Sequence, residues 1–70
     1  LIRMLHRIAE EARVAIRNIR RETKDLLEEL EGIGEDEKRR LLDRLQKLTD
    51  KYIELINEIM EAKEEEILGV

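Results

Sequence analysis

Apolar residues recur along this chain in steps of three and four, first from Leu1 to Leu30 and again from Leu41 to Ile67. Leu1, Leu5, Ile8, Ala12, Ala15, Ile19 and Leu26 form one row, with one step passed over at Glu22. Ile2, Ala9, Ile16, Thr23 and Leu30 form a second row at intervals of seven. After a break, Leu41, Leu45, Leu48, Tyr52, Leu55, Ile59 and Ala62 repeat the first row. Leu42, Thr49 and Ile56 lie beside it, with Ile53, Met60 and Ile67 further round. Such steps stack side chains on one face of an α-helix, with its 3.6-residue period. The pattern predicts one helical domain over residues 1–70: a helix over about 1–31, a turn at 32–34, and a helix over about 35–68. At roughly 1.5 Å per residue each helix is about 45–50 Å long.

The turn has its own chemistry. Gly32 suits the left-handed residue that follows a helix end, and Ile33 suits the apolar contact that closes such a motif. Gly34 stands where a helix N-cap belongs, with Glu35, Asp36 and Glu37 beside the positive end of the second helix dipole. A turn this short makes the helices antiparallel neighbours.

Each helix has a wider apolar face than a two-stranded seam uses, three or four positions in seven rather than two. A lone hairpin leaves one flank of each helix wet. The predicted class is therefore all-α, an antiparallel hairpin that completes a three- or four-helix bundle with another copy of itself or with a partner helix. Leu1, Leu5 and Ile8, with Ile56, Met60 and Ile67, are the expected protein-contact face. Arg3 and Arg7 at the first helix start, and Glu64, Glu65 and Glu66 at the second helix end, have the wrong sign for the macrodipole. With no cap and no initiator Met at residue 1, the chain reads as an excised or truncated element.

Charge sharpens the hairpin. Residues 1–24 hold seven Lys/Arg and three Asp/Glu, residues 25–37 seven acids and no base, residues 38–51 six bases and two acids, and residues 52–70 one base and six acids. Folding back near Ile33 sets blocks of opposite sign side by side, which favours that register although each surface pair contributes only ~0.2–1 kcal/mol. The net charge of −4 means that any nucleic-acid binding has to be local.

Catalytic chemistry is not expected. The chain has no Cys, no Ser and one histidine, His6, which reads as a solvated helix residue. The hydroxyls of Thr23, Thr49 and Tyr52 fall at core or core-edge positions. Glu54, Glu58 and Glu61 share a face without a Glu-x-x-His pair, so they read as a solvated stripe rather than a metal site. No cofactor, metal, small-molecule substrate or membrane span is expected, and Gly32 and Gly34 belong to the turn rather than to a phosphate loop.

The run from Arg13 to Arg21, RVAIRNIRR, is the most specific feature. On a helix, Arg13, Arg17, Arg20 and Lys24 share a stripe with no intervening carboxylate, opposite Ala12, Ala15, Ile16 and Ile19. A rigid ladder of guanidinium forks suits phosphates. The run resembles the arginine-rich segment of the ribosome recycling factor family. Gln46-Lys-Leu-Thr-Asp50 and Glu61-Ala-Lys-Glu-Glu-Glu-Ile-Leu68 resemble that family's last helix, in the same order. The resemblance covers nearly all of the chain. It implies the last two helices of a long three-helix domain, without the opening helix or the inserted β-rich second domain. It further implies contact with large-subunit ribosomal RNA through Arg17 and Arg20, supported by Arg13 and Arg21, and a cytoplasmic setting if the chain is natural.

Three readings of the ladder stay open: a solvated face paired with neighbours such as Glu10 and Glu22, an RNA contact, or an inherited feature no longer used. The family's loop is usually a few residues longer and its cap usually Ser. With the missing parts, these departures favour a non-enzymatic, engineered scaffold or binding module that presents a helical face for self-assembly or a partner. The alternative is a translation-factor fragment that binds ribosomal RNA.

Overall fold

The structure is a computed structural model that describes residues 1–69. Two helices, α1 (Ile2–Glu29) and α2 (Glu35–Leu68), pack against each other as an antiparallel hairpin. No strand occurs among the described residues, so the all-α class holds. The molecule is a thin slab of 55 × 17 × 8 Å.

The connection differs in detail from the expected one. α1 ends at Glu29, and Leu30 is already extended at φ −65° and ψ 130°, its N–H bonded to the Leu27 carbonyl. Gly32 does adopt the left-handed conformation at φ +83°, but as a residue of the turn rather than directly after the helix end. Ile33 follows, and Gly34, at φ −71° and ψ 160°, opens α2. Glu35, Asp36 and Glu37 occupy its first turn, where the free N–H groups favour negative charge.

Burial cuts across the two apolar rows. Ala9 and Thr49 are the two buried residues among those described. On α1 the reduced exposure continues through Ile2, Leu5, Ala12, Ile16, Thr23 and Leu27, and on α2 through Leu42, Leu45, Ile53, Ile56 and Met60. These positions, spaced three and four apart, are the seam between the helices. Small Ala9 and Ala12 let the backbones approach, and Thr49 satisfies its hydroxyl locally by donating to the Leu45 carbonyl at 2.8 Å.

The outer members of the first row stay open. Leu1, Ile8, Ile19, Leu26, Leu48, Tyr52, Leu55 and Ile59 are all exposed. The accessible surface is 5846 Å², against about 4,600 Å² for a compact monomer of this mass. The surplus of about 1,200 Å² is the physical signature of a hairpin without a third layer.

Opposite charge blocks do lie alongside one another, yet among the described residues no Lys or Arg ion pair crosses the hairpin. The polar cross-links are fewer and different in kind. His6 Nε2 meets Glu64 Oε1, Lys38 Nζ donates to the Glu28 carbonyl at 3.2 Å, and Arg13 reaches Asn57. His6, expected as a solvated residue, thus ties the open end of the hairpin together.

Candidate nucleic-acid interface

At about 100° per residue, α1 presents three stripes. The seam faces α2. The apolar row through Leu1, Ile8, Ala15, Ile19 and Leu26 lies to one side of it, and Arg13, Arg17, Arg20 and Lys24 lie to the other. The hairpin therefore has one apolar flank and one basic flank, and the two point away from each other across the seam.

The four cations of the basic stripe are not equivalent. Arg13 is drawn inward, its side chain only 15% exposed. Its Nε donates to Asn57 Oδ1 at 2.9 Å, its Nη1 to Glu10 Oε2 at 3.0 Å, and its Nη2 to Met60 Sδ at 3.7 Å. Arg17 projects into solvent with its side chain 52% exposed, and its Nη1 lies 3.7 Å from the other oxygen of Glu10. Arg20 is half-buried where the helices meet and borders a recess shared with Lys24, Leu42, Asp43, Leu45 and Gln46. Arg21 stands at the outer edge of α1, donating to Asn18 Oδ1 at 2.7 Å. Among the described residues, Arg20, Arg21 and Lys24 make no ion pair.

This arrangement can hold phosphates. Arg17, Arg20, Arg21 and Lys24 lie within two turns of a stiff helix, so their charges keep a fixed spacing. Guanidinium groups offer paired donors to phosphate oxygens. The flank is too open and too polar for an apolar small molecule. No group of acidic or histidine side chains among the described residues is placed to hold a metal ion.

The expected protein-contact face divides differently. Leu1, Ile8 and Ile67 are exposed. Leu5, Ile56 and Met60 are half-buried along the seam, so they hold the hairpin together and are not free for a partner. The open apolar surface is instead Ile8, Ile19 and Leu26 with Leu48, Tyr52, Leu55 and Ile59. It includes a groove of about 220 Å³ lined by Ile16, Ile19, Leu45, Leu48, Thr49 and Tyr52, with Arg20 at its edge. Glu10 and Asn57, which organise Arg13, were not expected as site residues. The spacing of Glu10 three residues before Arg13 was a visible signal, whereas Asn57 becomes a neighbour only through the register of the hairpin.

A family model described as ribosome recycling factor matches residues 1–68. The chain belongs to the ribosome recycling factor family. Curated relatives agree. The chain is 69% identical over 70 residues to a protein named ribosome-recycling factor from Aquifex aeolicus (strain VF5), covering 100% of this chain and 38% of that protein. It is 57% identical over 67 residues to one from Hydrogenobaculum sp. (strain Y04AAS1), covering 96% of this chain and 37% of that protein. A third, from Desulforamulus reducens, is 51% identical over 72 residues. The chain therefore spans less than two-fifths of the length of these relatives. No solved structure matches it. The Aquifex relative aligns over the full 70 residues of this chain and so carries no insertion at the turn. A short turn is thus found in a natural member of the family and is no mark of engineering.

Proposed function

We propose that this chain is a non-enzymatic RNA-docking arm of the ribosome-recycling type, gripping large-subunit ribosomal RNA with Arg17, Arg20, Arg21 and Lys24. The observation that carries this reading is the segregation of the hairpin into flanks. Three of those four cations have no ion-pair partner among the described residues; Arg17, Arg21 and Lys24 lie on the side away from the apolar row, and Arg20 stands at the boundary between the two flanks. The names of the relatives supply the ribosome as the surface to be gripped, and the cations supply the chemistry that reads its phosphates.

Arg13, which the family resemblance includes in the RNA-contacting set, is left out on structural grounds. Its side chain is mostly buried and holds Glu10, Asn57 and Met60 with three of its donors. The test is co-sedimentation with purified large ribosomal subunits. The doubly substituted chain Arg17→Ala/Arg20→Ala should lose binding while its circular dichroism stays helical. Co-sedimentation equal to the unaltered chain would overturn the proposal.

A second reading, a self-assembling scaffold or engineered module, draws on the apolar flank. Side chains such as Ile19, Leu26 and Ile59, each at least 60% exposed, favour cover by another helix. Native mass spectrometry at two concentrations tests it. An assembly of several 8.4 kDa chains supports self-association, and a monomer throughout contradicts it.

A further inference from the structure

Glu10 lies one turn before Arg13, at the end of the basic stripe, and it does two things at once. Its Oε2 accepts a 3.0 Å hydrogen bond from Arg13, and its Oε1 lies 3.7 Å from Arg17. Arg13 is in turn fastened to the opposite helix through Asn57 and Met60. We propose that Glu10 is a built-in competitor for the RNA phosphate at Arg17, and that Arg13 is the positioning residue that holds Glu10 there. This inference rests on the RNA-docking function proposed above and divides its residues further.

A guanidinium has five N–H donors. Arg13 directs one toward each of three acceptors in this chain and leaves only 15% of its side chain in solvent. Taking a phosphate would require it to release the cross-helix contact, the Glu10 contact or both. Arg17 is under no such constraint. Its only partner is a carboxylate beyond hydrogen-bonding distance at 3.7 Å, and its side chain is half exposed. A phosphate that forms direct charge-assisted bonds to Arg17 therefore displaces the weaker of the two Glu10 contacts. Glu10 does not leave with it, because Arg13 still holds the other oxygen. The carboxylate stays beside the site and returns when the phosphate goes. The device weakens casual contact with any polyanion and leaves the larger gain to a phosphate that meets Arg17 and Arg20 together.

Salt dependence separates the roles, because a residue that neutralises a phosphate adds to the slope of log affinity against log salt. Binding of the full chain to purified large ribosomal subunits would be measured across a salt series for the unaltered protein, Glu10→Gln, Arg13→Met, Arg17→Ala and the double variant Glu10→Gln/Arg17→Ala. Glu10→Gln should tighten binding about two- to five-fold at low salt, and that gain should vanish when Arg17 is also replaced. Arg17→Ala should reduce the slope by about 0.7–0.9, whereas Arg13→Met should leave it unchanged. If Arg13→Met fails to fold, Arg13→Gln removes the charge and keeps a donor for Asn57. Unchanged or weaker binding by Glu10→Gln, or a slope reduced by the Arg13 variant, overturns the inference.

A chain that binds no subunits overturns the proposed function and the competitor role with it. The positioning role is then decided without RNA, by a double-mutant cycle between Arg13 and Glu10 in urea unfolding. A coupling energy supports it, and strictly additive effects overturn it.

Discussion

Ile56 and Ile59 are one helical turn apart on α2, equal in size and chemistry, and the structure assigns them opposite duties. Ile56 is half-buried in the seam, while Ile59 is 60% exposed on the apolar flank. Replacing each by aspartate therefore has unequal consequences. At Ile56, losing an isoleucine from between the helices costs about 1.5–3 kcal/mol of transfer energy. An unpartnered polar group there adds about 1–3 kcal/mol. The total is comparable with the whole stability expected of a 70-residue domain, about 3.5–10 kcal/mol, so Ile56→Asp should leave little folded hairpin. At Ile59 only about two-fifths of the side chain is covered, so the loss is about 0.6–1.2 kcal/mol. That lowers the melting temperature by several degrees, about 3–9 °C. Thermal unfolding followed by circular dichroism, at a concentration where the protein is monomeric, measures both. If Ile59→Asp unfolds the chain as completely as Ile56→Asp, the division into seam and flank is wrong.

The turn makes two further claims. Gly32→Ala meets no neighbouring atom, since nothing lies within 4 Å of the added Cβ. It should still cost about 1–2 kcal/mol in urea unfolding, because the positive φ strains an L-residue. Gly34→Ser should do the reverse. That position is an N-cap with no side-chain hydrogen bond, and a serine oxygen there should add a few tenths of a kcal/mol, read as a raised urea midpoint with an unchanged slope. Within the seam, Ala9→Leu should destabilise by about 1–3 kcal/mol through overpacking, because Ala9 is only 6% exposed. A stabilised variant would mean that the helices have room between them.

The helices and the turn were legible because they depend on local properties: the three-and-four spacing, the glycines and the acids that open α2. The choice of seam was not. Two apolar rows run beside each other on each helix, and the longer one, through Leu1, Ile8, Ile19 and Leu26, looks the better core from sequence alone. The seam runs instead along the shorter row, through Ile2, Ala9, Ile16 and Thr23 against Leu42, Thr49 and Ile56, and takes Leu5, Ala12 and Leu45 from the longer one. Small Ala9 and Thr49 face inward there, and they let the backbones close up where a leucine row would hold them apart. The ladder was legible as a stripe, since spacing alone aligns Arg13, Arg17, Arg20 and Lys24. Its division was not, because Asn57 and Met60 reach Arg13 from 44 and 47 residues away. Among the described residues the expected Lys and Arg ion pairs across the hairpin also failed to form, as exposed charges remain solvated when a pair contributes so little.

One titration addresses the basic flank most directly: binding of the unaltered chain to purified large ribosomal subunits at about 50 mM and about 200 mM salt. Three to four phosphate contacts from Arg17, Arg20, Arg21 and Lys24 predict a loss of affinity of roughly 20- to 150-fold between the two conditions. Binding that does not change with salt, or no binding at the lower salt, contradicts it.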